Sequence, residues 1–180
     1  SLWISCAGGL SGISHIPVQR VEGEGTKIQV KVCGLMGGHS GAEIDKNRAN
    51  ANKLMGRFLY GLKKKADYAV ISLAGGQKDN AITRECITEF LTDAPEEVKA
   101  YAKELQEQIR EEYTGSDENI TIEVKENGVG TAQVLHPTSQ EKIVFYLQNV
   151  PFGIQKMSGT IKGLVESSSN IGILRLDEDE

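Results

Sequence analysis

Thr26-Lys27-Ile28-Gln29-Val30-Lys31-Val32-Cys33-Gly34-Leu35-Met36-Gly37-Gly38-His39-Ser40-Gly41 runs from a strictly alternating segment into a glycine-rich turn that holds one histidine. Ile28, Val30 and Val32 fall on one face and Lys27, Gln29 and Lys31 on the other, the period of a half-buried strand over residues 26–33. In the turn, Gly37, Gly38 and Gly41 surround His39 and Ser40, and glycines there permit positive φ and a close approach to a bound group. Beyond it, Ala51, Leu54, Met55, Phe58, Leu59 and Leu62 recur at i, i+3, i+4, i+7, i+8 and i+11. That spacing predicts an amphipathic helix, with Asp45 or Asn47 as its N-cap. The free N–H groups of the helix start would then face the same way as the turn, an arrangement suited to an oxyanion or a carboxylate.

Strands follow at residues 68–73 and 85–92, and the loop Gly75-Gly76-Gln77-Lys78-Asp79-Asn80 between them allows antiparallel pairing. A second helix opens at Asp93, with Pro95 in its first turn and Glu96 completing a capping-box pattern, and buries Val98, Tyr101, Ala102, Leu105 and Ile109 before Gly115 stops it. Ile120, Ile122 and Val124 mark a fourth strand. The order strand, helix, strand, strand, helix, strand is that of an α+β fold, the ferredoxin-like split β-α-β-β-α-β arrangement with an antiparallel sheet and both helices on one face. An additional helix from Thr138 to about Val150 has a Thr138/Glu141 box and the stripe Ile143, Val144, Leu147. Further strands are expected at 164–166 and 171–176, with Ser167-Ser168-Ser169-Asn170 as a loop or bulge. Residues 1–25 start with the strand-like Leu2-Trp3-Ile4, then loosen into glycine-rich sequence, and read as an incoming strand and linker to a single domain at 26–180. The last strand lacks a partner in this stretch, so the segment is expected to be cut from a longer chain.

With 180 residues, 39% of them apolar, the chain can bury a core. Its 25 acidic residues against 20 basic ones leave a net charge of −5. The one lysine run, Lys63-Lys64-Lys65, suits a helix C-terminus, so nucleic-acid binding is not expected. Cys6, Cys33 and Cys86 are odd in number and widely spaced, consistent with a reducing cytoplasm. Neither a membrane span nor a signal peptide is visible.

No self-contained active centre emerges. His15, His39 and His136 lie in three separate loops without the paired spacing of a metal site. Ser40 beside His39 does not by adjacency make a nucleophile–base pair, and a helix-start turn residue is its plain alternative. The turn also lacks the Gly-Lys-Ser/Thr ending of a phosphate loop. Read alone, His39 is equally a turn residue or a functional one. Asp117-Glu118 and the final acidic run at 177–180 read as solvated surface charge.

Gly34-Leu35-Met36-Gly37-Gly38-His39-Ser40-Gly41-Ala42-Glu43-Ile44, followed by Asn50-Ala51-Asn52-Lys53-Leu54, resembles the inserted domain of aminoacyl-histidine dipeptidases, the bacterial carnosinase or peptidase D group of two-zinc metallopeptidases. Three other stretches resemble the same family in order: Cys6-Ala7-Gly8-Gly9, Gly75-Gly76 with Asn80-Ala81-Ile82, and Lys162-Gly163-Leu164-Val165-Glu166-Ser167-Ser168-Ser169-Asn170-Ile171-Gly172. The likeness implies a lid or dimerisation domain interrupting a catalytic domain whose residues bind both zinc ions, so that none are bound here. It implies a cytoplasmic homodimer in which His39 reaches the partner's active site and stabilises the oxyanion of a scissile carbonyl, while Asn80 contacts the dipeptide, which has a C-terminal histidine. The substrate-carboxylate arginine would lie beyond Glu180, and Arg84 does not take that role. Thr83 replaces a usual proline, and Ser167-Ser168-Ser169 simplifies a loop with Thr and Leu. An isolated fragment would be inactive. The alternative is a free-standing ferredoxin-like module whose glycine turn binds a small ligand or anion.

Overall fold

The alternating stretch forms β1, Arg20–Cys33, which begins at Arg20 and not at Thr26. Residues 20–25 look like linker by composition, yet they pair with the far half of β6, Thr121–Leu135, from Arg20 opposite Leu135 to Gly25 opposite Gly130. That pairing is long-range, and a strand so rich in glycine and glutamate forms only because a partner is supplied. The computed structural model describes residues 8–180, so the expected strand at 2–4 and Cys6 lie outside the described residues.

β3, Ala69–Gly75, and β5, Cys86–Thr92, complete the sheet with a short β9, Leu174–Arg175, in the order β6-β1-β5-β3-β9. The four principal strands are antiparallel throughout and have the expected ferredoxin-like order. Cross-strand pairs Ile28/Phe90, Val30/Thr88 and Val32/Cys86 place one continuous buried row against the helices. The other face presents polar pairs such as Lys31–Glu85.

Helix α1, Ala51–Leu62, buries the whole predicted stripe. Its N-cap is Asn50, whose Oδ1 accepts from the N–H groups of Asn52 and Lys53, and not Asp45 or Asn47. Asp45 lies in a separate 3-10 turn, Ile44–Lys46, and Asn47 closes that turn in the left-handed region. Helix α2, Pro95–Glu112, buries its expected residues but begins at Ala94 with no side-chain cap, so the Asp93/Glu96 box does not form. Thr92 Oγ1, at the end of β5, accepts from Ala94 N instead. Helix α3, Pro137–Asn149, is capped by His136 Nδ1 accepting from Thr138 N, and not by Thr138 itself. All three helices contribute to one core on one face of the sheet, with Phe58 and Phe90 at its centre. Gly56 on α1 lies so close to Leu147 on α3 that a β-carbon there would sit 2.6 Å from the Leu147 Cβ, which sets the approach of the two helices.

After α3, β7, Gly153–Met157, and β8, Val165–Ser169, make a separate hairpin. Of the loop or bulge expected at 167–170, residues 167–169 are strand, in a hairpin whose register shifts between Ile154 and Lys156 and again between Lys156 and Met157, and the expected strand at 171–176 contracts to β9, paired with Ala74 and Gly75 of β3. Ile171 leaves the strand pattern because it is drawn into the core under α1.

Candidate functional site

β2, Gly38–His39, pairs antiparallel with β4, Ala81–Ile82, with Gly38 opposite Ile82 and His39 opposite Ala81. Ser40 N donates to the Asn80 carbonyl at 3.0 Å. The two residues singled out in separate loops, His39 and Asn80, are thus neighbours on one exposed two-stranded ribbon.

The imidazole of His39 is fixed by its own turn. Nδ1 accepts from Gly41 N at 3.0 Å and from Ala42 N at 3.1 Å. A nitrogen that accepts two N–H groups carries no proton, so the ring proton sits on Nε2 and that N–H is the free donor. Glycine at 41 eases this approach, since a β-carbon there would stand 3.3 Å from His39 Cε1 and 3.4 Å from Nδ1. The backbone N–H of His39 donates to Glu43 Oε2 at 2.9 Å. That bond, then Lys46 and Arg48, holds the Glu43 carboxyl well below its usual range, at about 2. Arg48 in turn donates to the Gly37 carbonyl and pairs with Glu43 Oε1 at 3.0 Å. Gly38, at φ 141°, passes so close to this ion pair that a β-carbon would stand 2.2 Å from an Arg48 nitrogen.

The base of the loop is closed by Asp117. It is 3% exposed, and its two oxygens accept from Met36 N at 2.8 Å and Ala49 N at 3.1 Å, one on each side of the histidine turn. The reading of Asp117 as solvated charge is corrected: burial is sustained by the two backbone donors, which compensate desolvation. Arg84 lies over Gly37 and donates from Nε to the Leu35 carbonyl.

The helix start does not join the site. Ala51 N donates to the Thr83 carbonyl, Leu54 N to the Asn50 carbonyl, and Asn50 Oδ1 takes the two N–H groups between, so the first turn of α1 offers no free donors to an anion. The turn's own N–H groups at 39–42 are likewise engaged within the ribbon and with Glu43, so its outward donors are side chains, His39 Nε2–H among them. His15 pairs with Glu180 at 2.8 Å, and His136 is a helix cap. Cys33 and Cys86 are buried free thiols, and burial pushes both up in pKa. Among the described residues no group of three His, Cys, Asp or Glu side chains converges in a way that could hold a metal ion. No helix among them is long and apolar enough to cross a membrane.

Thr83 ties the turn after β4 to the segment between β8 and β9. It is buried, its hydroxyl lies 3.0 Å from the carbonyls of both Ile171 and Gly172, and it accepts from Asn52 Nδ2 at 3.2 Å. The sequence assigns no site role to Glu43 or Arg48, and it presents Asp117 as surface charge. Glu43, four residues after His39 in a glycine turn, offered a local signal, whereas Asp117 is far off in sequence and offered none.

A family model described as the peptidase dimerisation domain matches residues 30–117. The chain is 29% identical to the cytosol non-specific dipeptidase of Escherichia coli (strain K12) over 182 residues, 99% of this chain and 37% of that protein. It superposes on the crystal structure of aminoacylhistidine dipeptidase from Vibrio alginolyticus with a TM-score of 0.85 and 30% identity, over 91% of this chain and 34% of that one. The chain thus spans about a third of the length of either relative. Matched from the middle of β1 through α2 by the family model and along nearly all its length by both proteins, this chain is similar to the peptidase dimerisation domain and homologous to the corresponding part of these dipeptidases.

Proposed function

We propose that this chain is the lid and dimerisation domain of a cytosolic, two-zinc dipeptidase that hydrolyses dipeptides with a C-terminal histidine. The lid begins with β1 at Arg20, and the stretch before it leads in from the catalytic domain. The enzyme works as a homodimer in which His39 of one lid enters the active site of the partner subunit. The observation that carries this reading is the His39 ring, whose Nδ1 is occupied by the Gly41 and Ala42 amides so that Nε2–H is presented outward.

In the reaction, Nε2–H donates to the carbonyl oxygen as it becomes an oxyanion. A preorganised donor of this kind stabilises the transition state by a few kcal/mol. Asn80, held beside His39, offers a carboxamide to the dipeptide. Among the described residues no three His, Cys, Asp or Glu side chains converge to hold a metal ion, and on this reading the zinc ligands and the general base are supplied by the catalytic domain. Supplying the zinc-loaded catalytic centre from elsewhere makes the isolated chain inactive, and purified chain incubated with zinc and X-His dipeptides is expected to release no histidine.

The decisive measurement is His39→Ala in the intact dipeptidase. Turnover is expected to fall by roughly two to three orders of magnitude with zinc content and dimerisation retained. Unchanged kcat/KM would reduce the domain to a dimerisation module alone. A free-standing anion-binding module is disfavoured by the fully engaged N-terminus of α1.

A further inference from the structure

Asn170 stands between β8 and β9, far in sequence from the histidine turn, yet its side chain meets the ribbon directly. Nδ2 donates to the Ala81 carbonyl at 2.8 Å and to the Asp79 carbonyl at 3.3 Å, which brackets Asn80. Oδ1 accepts from Asn50 Nδ2 at 3.1 Å, and the same Asn50 nitrogen donates to the Ile171 carbonyl. Asn50 caps α1 through its other atom, so the turn at 79–81 is tied through Asn170 to the rigid start of a core helix. The two segments stay close at Gly172, where a β-carbon would stand 2.6 Å from the Asp79 carbonyl oxygen and 2.7 Å from that of Lys78.

We propose that Asn170 is a positioning residue for the His39–Asn80 pair: its carboxamide fixes the turn at 79–81, and through the bond from Ser40 N to the Asn80 carbonyl it fixes the histidine turn as well. The chemistry selects a carboxamide. Two N–H groups on one nitrogen satisfy two carbonyls, while an oxygen on the same planar group takes the Asn50 donor. A carboxylate of the same shape turns oxygen toward two carbonyl oxygens, and a shorter hydroxyl reaches one of them. β2 and β4 have only two residues each, so this side chain supplies much of what their own pairing cannot. Misplacement of a catalytic donor by about 1 Å is enough to cost about a hundredfold in rate.

The catalytic consequence rests on the reading of His39 given above, whereas the positioning itself does not, and the experiment separates them. In the labelled 180-residue chain, Asn170→Asp is expected to speed hydrogen exchange at the Ser40 amide by about tenfold or more and to shift the His39 ring signals, with the core amides of Ile28 and Val30 unchanged. Unmoved Ser40 and His39 signals overturn the proposal, and so does an equal change at the core amides, since that marks a global defect. If Asn170→Asp prevents folding, Asn170→Gln carries the same comparison, with the carboxamide kept and moved by one methylene. In the intact dipeptidase, Asn170→Asp is expected to lower kcat by about a hundredfold with KM within about twofold, and to add little to His39→Ala. An additive effect in that double variant overturns positioning through His39. Should His39→Ala leave turnover intact, the catalytic reading falls, and the exchange measurement still decides the role of Asn170.

Discussion

Glu43 accepts the His39 backbone N–H at 2.9 Å, and Lys46 and Arg48 hold the carboxylate from the other side. The amide donor, with the two cations, favours the ionised form, so the group titrates at about 2 in the folded protein and in the ordinary carboxylate range when unfolded. A depressed folded pKa contributes stability above the unfolded value and loses it as pH falls through the folded one. The turn is therefore expected to be braced from about pH 5 upward and to loosen toward pH 2. Amide shifts of His39 followed through an acid titration should move in that window in the native chain, and Glu43→Gln should abolish the movement. The sequence displayed His39 and its glycines as a pointed motif. It could not display which ring nitrogen is occupied, because that depends on how residues 39–43 fold back on themselves.

Among the elements, the stripes of α1, α2 and α3 were legible because the helical period records which side faces the core. The caps were not. Asn50 and His136 serve where Asp45 or Asn47 and Thr138 were expected, and α2 has no side-chain cap in place of the Asp93/Glu96 box, since a cap depends on where the incoming chain is held by other elements. Asn50 is the most connected of them, capping α1 while donating to Asn170 and to the Ile171 carbonyl. Asn50→Ala is expected to lower unfolding stability by about 1–2 kcal/mol, measured by urea denaturation. A change within a few tenths of a kcal/mol would mean that water replaces these bonds without loss.

For the whole molecule, the sheet ends at β6, a long strand whose outer edge has no partner among the described residues and which carries Val129, 77% exposed. Such an edge is a template for pairing with a second copy about a two-fold axis. The proposed dimer is expected to appear in light scattering of the intact protein, and Val129→Lys, which places a charge on that edge, should shift it toward monomer without lowering the melting temperature of the fold. A dimer unaffected by this substitution would place the interface elsewhere.

Residue order and period determined the β-α-β-β-α-β frame, the helix stripes and the prominence of His39, because these are local properties of the chain: alternation, the 3.6-residue repeat and glycine in turns. Only the tertiary structure decided that residues 20–25 are strand, that Asp117 is a buried staple across the histidine loop, and that Asn170 meets the turn at Asn80. Each of those depends on a hydrogen-bond partner far away in sequence. A polar side chain looks the same in a sequence whether it faces water or a buried amide, and only the folded chain distinguishes the two.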